Sequence, residues 1–184
     1  ATSNTVTSNG KYYCLGGVAG WIHGISMTGC KNYGVVSATD QVTHSASNIV
    51  GGITGLVASA ANDNTASNSD KLTVVNNCRN EGVVSAIMNT SNTGGGSGNA
   101  GAAMGGVVGS LRSIAEFKNN DNVGAVTGRN ANNGSYVFVG GIAGHVHCTN
   151  DADSFYNCRN AGNVKAGGVS DSAKSRVGVG GVIG

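Results

Sequence analysis

Two short phrases alternate along this chain, and the alternation restricts its fold more than any single residue does. The first, Gly-Gly-aliphatic-x-Gly, stands at residues 16–20, 51–55, 105–109, 140–144 and 180–184. The second follows each of the first four copies and ends Asn-x-Gly-x-Val, at 30–36, 78–84, 120–126 and 158–164. Successive first phrases begin 35, 54, 35 and 40 residues apart. Self-similarity at such a period marks a stacked repeat, in which no unit buries its apolar face alone. The basic unit is thus about 35 residues long. Longer spacings place polar, small-residue insertions near 59–70 and 89–99, which read as surface excursions from one repeat domain spanning 1–184.

Within the phrases the period is two. Val18/Gly20/Ile22, Ile53/Gly55/Val57, Val107/Gly109/Leu111 and Ile142/Gly144/Val146 hold alternate positions, which a strand sends to one face. We expect that face to be the core. The intervening Trp21/His23, Leu56/Ala58, Ser110/Arg112 and His145/His147 are expected to face out, as are Lys31, Arg79, Asp121 and Arg159 in the second phrase. A glycine between core aliphatics leaves room for another backbone to approach. Asn32, Asn80, Asn122 and Asn160 can either form an amide ladder along the stack or each build a local turn. The expected fold is therefore all-β: a β-solenoid, β-helix-like, of about four and a half glycine-rich repeats of ~35 residues.

Composition agrees. The 184 residues include 32 glycines and no proline, with 11% charged and 5% aromatic residues. A thin, small-residue core needs few aromatics, whereas a helical bundle or coiled coil needs far more charge. Collagen is excluded because glycine does not recur every third residue. A net charge of +2 without a basic run gives no footing for nucleic acid or an anionic membrane. No apolar stretch reaches membrane-spanning length, so direct membrane insertion is not expected. The chain opens on the polar Ala1-Thr2-Ser3-Asn4, consistent with a processed or excised segment.

At the two phrases the chain resembles the GLUG-motif repeat family of bacterial cell-surface and secreted proteins, over roughly residues 13–184. It differs in carrying Val or Ile where leucine is usual after the double glycine. The resemblance implies an extracellular, non-catalytic, adhesin-like or structural module on a β-helical framework. It brings no catalytic residue to transfer.

Candidate chemistry is sparse. His145 and His147 are expected on one strand face, with Cys148 on the other and Asp151 and Asp153 nearby, but two ligands do not make a zinc site. No metal or cofactor is expected. Cys30, Cys78 and Cys158 share an inward position and suit buried thiols; oxidation would need Cα atoms about 4.4–6.8 Å apart, which depends on whether a repeat makes one coil or two. Cys148–Cys158 is another candidate pair. Trp21, Leu56 and Tyr33 would form an outward stripe able to meet a host protein or glycan. The first functional expectation is a non-catalytic structural or adhesive module. Its partners would be neighbouring repeats or copies of itself, because 177–184 restarts a phrase without finishing it. A carbohydrate-binding or carbohydrate-active β-helix is the alternative, weakened by acidic residues at no fixed repeat position. Ice binding ranks third, since the phrases lack regular outward threonines.

Overall fold

The computed structural model describes residues 2–3, 12–40, 45–58, 73–91, 101–112, 116–132, 136–147, 154–168 and 176–184. They form an all-β, solenoid-like stack of parallel strands, with no helix among them. The chain visits five sheets in fixed order. Sheet 1 holds β2 (Tyr12–Gly16), β7 (Ser47–Gly51), β12 (Ala102–Gly105), β17 (Tyr136–Gly140) and β22 (Arg176–Gly180). Sheet 2 holds β3 (Ala19–His23), β8 (Thr54–Ala58), β13 (Val108–Arg112) and β18 (Ala143–His147). Sheet 3 holds β4 (Ser26–Thr28), β9 (Val74–Asn76), β14 (Glu116–Lys118) and β19 (Ser154–Tyr156). Sheet 4 is built from the two-residue strands β5 (Lys31–Asn32), β10 (Arg79–Asn80), β15 (Asp121–Asn122) and β20 (Arg159–Asn160). Sheet 5 holds β1 (Thr2–Ser3), β6 (Val36–Thr39), β11 (Val84–Met88), β16 (Val126–Asn130) and β21 (Val164–Gly168).

Each circuit of the five sheets carries one copy of each phrase. The Gly-Gly phrase turns the chain from sheet 1 into sheet 2, and the Asn-x-Gly phrase carries it from sheet 4 into sheet 5. Register is kept even through the turns: Gly52 N–H donates to Gly105 O at 3.1 Å and Ile53 N–H to Val107 O at 2.9 Å. Backbone polar groups are thus paired along the stack axis, which a narrow solenoid requires of buried turns.

The cross-section is pinched, and two separate cores result. One lies between sheets 2 and 3, where Ile22, Val57 and Leu111 meet Met27, Val75 and Phe117, with Ile53, Val107, Ile142 and Cys78 alongside. Phe117 stacks on Phe155 of the next circuit, ring centroids 4.9 Å apart. The other lies between sheets 5 and 1 and joins Val36, Val84 and Val126 to Val50, Met104 and Val139. Between the cores the second glycine of each pair meets the asparagine of its own circuit. A Cβ on Gly106 would stand 2.2 Å from Asn122 Cγ and 2.2 Å from Gly141 O, so a side chain has no space there.

Sheets 1 and 2 pack back to back behind these cores. A Cβ on Gly109 would meet Ile49 Cγ2 at 2.6 Å and Val50 N at 2.7 Å, so the glycine row of sheet 2 lies on the backbone of sheet 1. This corrects the expected placement of Gly20, Gly55, Gly109 and Gly144 among the core aliphatics. Close approach of a second backbone is present, but on the far side of the strand. The expected exposure of Leu56, Ala58 and Ser110 is corrected for the same reason: all three are buried. Paired residues in sheet 2 run Val108↔Ala143 and then Ser110↔His145, the glycines standing outside the pairs. Strict alternation slips at that point, and both Val107 and Val108 reach the core.

Of the expected insertions, 59–70 and 92–99 lie outside the described residues. The start of the second does not leave the stack. Thr90 is fully buried, donates from Oγ1 to Ala46 O at 2.5 Å, and receives Asn130 Nδ2 at its carbonyl at 3.0 Å.

Thr54 sits in the sheet 2 row that also carries Ala19 and Val108, fully buried, and its hydroxyl has no hydrogen-bond partner among the described residues. An isosteric Thr54→Val change removes that unpaired group without altering shape. It should raise unfolding free energy by about 1 kcal/mol, read as a higher urea midpoint at unchanged slope.

Candidate functional site

The most ordered polar feature is the asparagine row in sheet 4. Asn32 Nδ2 donates to Asn80 Oδ1, Asn80 Nδ2 to Asn122 Oδ1, and Asn122 Nδ2 to Asn160 Oδ1, each at 2.8 Å. Every Nδ2 also donates within its own turn, to Gly34, Gly82, Gly124 or Gly162 O at 2.7–2.8 Å. The amide's two hydrogens are thereby divided between ladder and turn, so the two readings of these residues coexist. Asn80 and Asn122 have no exposed surface. A buried amide tolerates this only with its donors and acceptors paired.

The residue before each Cys or Asn of the second phrase carries a related signal that pattern reading missed. Asn77, Asn119 and Asn157 adopt positive φ of 53–55°, and Gly29 takes φ 67° at the equivalent place. Glycine and asparagine are the residues that enter the left-handed region most readily. Their recurrence at one repeat offset was the available clue. Asn157 Nδ2 donates to Asn119 Oδ1 at 2.5 Å, making a second, exposed rung.

Expected core residues fall as follows. Ile22, Ile53, Val57, Val107, Leu111 and Ile142 belong to one buried cluster and Val146 packs against it. Val18 does not: it is 48% exposed on the first Gly-Gly turn, where no preceding circuit covers it among the described residues. The proposed outward stripe is broken too. Trp21 and Tyr33 are exposed but Leu56 is only 1% accessible, because sheet 1 covers its row. Exposed apolar side chains gather instead near the turn into sheet 5, at Tyr33, Val35, Val83 and Val123.

His145 and His147 lie on the side of sheet 2 turned toward sheet 1. Their rings are 6.5 Å apart, and Phe138 of β17 stands 5.5 Å from His145. Ser110 Oγ lies 3.4 Å from His145 Nδ1. Burial, then the nearby His147 and Arg112, lower the His145 pKa to about 4, so the ring is neutral at physiological pH. Among the described residues no three His, Cys, Asp or Glu side chains come together to hold a metal. Cys148, Asp151 and Asp153 lie outside the described residues. Ser110 is fully buried and His145 partly so.

Cys14, Cys78 and Cys158 are protected thiols. Burial pushes Cys14 up to about 12 and Cys78 up to about 11, and raises Cys158. The thiolate is the reactive form, so these groups are weak nucleophiles at neutral pH. On the outer face of sheet 4, Arg79 donates from Nε to Glu81 at 2.7 Å and from Nη1 to Asp121 at 2.5 Å. Such part-exposed pairs contribute little to stability. Glu116 pairs with Lys118 in sheet 3. Comparison of the chain with protein-family models, curated proteins and solved structures found no match.

Asn122→Ala breaks the ladder at its centre, leaving Asn80 Nδ2 and Asn160 Oδ1 without their partner. It should cost about 3 kcal/mol by urea denaturation, against about 1 kcal/mol for Asn32→Ala at the end of the row. His145 supplies a pH signature. Its folded pKa lies below the ordinary value of 6.5, so the unfolded chain binds more protons between the two values. Stability is complete above pH 6.5 and falls as pH drops toward about 4. His145→Gln should flatten that limb of a stability-versus-pH curve.

Proposed function

We propose that this chain is a non-catalytic structural or adhesive repeat module, working outside the cell and extending by addition of further coils of its own kind. On this reading it comprises about four and a half repeats of ~35 residues and belongs with surface repeat proteins of the GLUG type. The observation that carries the proposal is the exposure of apolar side chains at the last described rung of two rows. Val139 is fully buried, and Val179, one rung further, is 52% exposed. At the other end Trp21 is 55% exposed where Leu56, one rung in, is 1%.

The asparagine ladder adds a direction. Each Nδ2 donates toward the following circuit, so Asn160 ends the row as a donor and Asn32 begins it as an acceptor. Only head-to-tail stacking continues that sense. Head-to-tail contacts between identical copies give open fibres when the rotation between copies does not close a ring, as when coils stack along one axis, and exposed parallel edges favour strand pairing. Three of the described carboxylates lend no support to a glycosidase-like role. Glu81 and Asp121 both hold Arg79, and Glu116 holds Lys118, leaving none of the three as a free acid–base partner.

The test is light scattering on the purified chain over a concentration series, with electron microscopy of the most concentrated sample. Expected are end-to-end oligomers growing with concentration, and their loss in a Val179→Lys/Ile183→Lys double variant that places charge on the final rung. A single monomeric species at every concentration would overturn self-assembly. Turnover of a polysaccharide panel would overturn the non-catalytic reading.

A further inference from the structure

We propose that Cys30 and Cys78 form a specific disulfide that staples the first circuit to the second when the protein meets a disulfide donor.

The placement follows from register. Lys31 pairs with Arg79 and Asn32 with Asn80 in parallel, so the residues just before them occupy one rung of the stack. Arg79 N–H donates to Cys30 O at 2.9 Å, which ties the two cysteine positions together directly. Neighbouring parallel strands lie about 4.8 Å apart, inside the ~4.4–6.8 Å Cα separation that a disulfide accepts. Both side chains point the same way. Cys78 belongs to the core between sheets 2 and 3, and Cys30 packs against that core. Neither position lies within a regular strand, so the backbone there can adjust to bring the sulfurs together.

The same row explains why only one pair within it is competent. Its third rung is Asn120, which accepts the Cys78 N–H at Oδ1 at 2.9 Å and donates from Nδ2 to Val75 O at 2.8 Å. That amide is held between Cys78 and Cys158, leaving Cys158 two rungs from Cys78. Two rungs are about 9.6 Å, beyond disulfide reach. Cys14 lies in sheet 1 on the face turned toward sheet 2, where Arg112 is its charged neighbour, away from this row.

The chemistry is thiol–disulfide exchange with a small disulfide such as oxidised glutathione. Cys30 is half-buried and Cys78 fully buried, so Cys30 is the entry point. Its thiolate attacks one sulfur of the donor and expels the first thiolate. Cys78 then gives up its proton, attacks the Cys30 sulfur and expels the second. Two cysteine thiols are oxidised, one donor disulfide is reduced to two thiols, and the protons leave with them.

The test uses the intact chain incubated with oxidised glutathione, quenched in acid, unfolded, alkylated and mapped by tandem mass spectrometry. A bond located at Cys30 and Cys78 is expected. It should form equally in Cys158→Ser, be absent in Cys30→Ser, and raise the urea midpoint of the unmutated chain reversibly on reduction. Recovery of Cys30 and Cys78 as alkylated thiols after full incubation would overturn the proposal. So would a bond joining either of them to Cys14, Cys148 or Cys158. Mapping on the unmutated chain decides the matter even if a variant folds poorly.

Discussion

Contact between the tip of each Gly-Gly turn and the asparagine of its own circuit is the constraint on which the rest of this structure depends. A side chain at Gly17, Gly52, Gly106 or Gly141 would overlap the amide of Asn32, Asn80, Asn122 or Asn160. With only hydrogen there, the turn reaches across the section and divides the interior into two cores. The amide in turn needs both its hydrogens placed, one in its own turn and one in the next circuit. Turn shape, stack register and the partition of the core are therefore settled at one point, repeated along the axis. That coupling gives a physical reason for the two phrases to alternate.

Pinching the section has a second consequence. Sheets 1 and 2 are forced back to back, and rows that a simple solenoid would leave in water become buried. Leu56 packs there, Ser110 loses all exposure, and His145 is held neutral by desolvation. The contact between Ser110 and His145 forms on that covered face. Burial likewise turns Cys14, Cys78 and Cys158 into quiet thiols, although stacking also sets Cys78 one rung from Cys30.

The axial direction differs from the transverse one. Across the section every row has a defined neighbour, whereas along the axis each circuit offers the next the same surface it received. The proposed growth along the axis would use such a surface. The one-way amide ladder gives the stack a polarity, and a covalent link between the first two circuits would stiffen the end where the described rows begin.

Much of this was legible in the residues. Alternating aliphatics identified strands, the recurring phrases identified stacking, and the shared offset of Asn32, Asn80, Asn122 and Asn160 placed them on one row, because period and offset are properties of the chain itself. What the residues could not convey was which side of a strand meets another sheet. The glycines at 20, 55, 109 and 144 fit equally well inside a core or against a neighbouring backbone, since a missing side chain carries no polarity to orient it. Leu56 and Ser110 looked outward for the same reason: alternation tells two faces apart but not what covers each. By itself the sequence determined the strands, their spacing and the repeated contact residues. Only the tertiary structure decided the pinched section, the burial of a second face and which cysteines stand on neighbouring rungs, because those depend on how distant segments fold over one another in space.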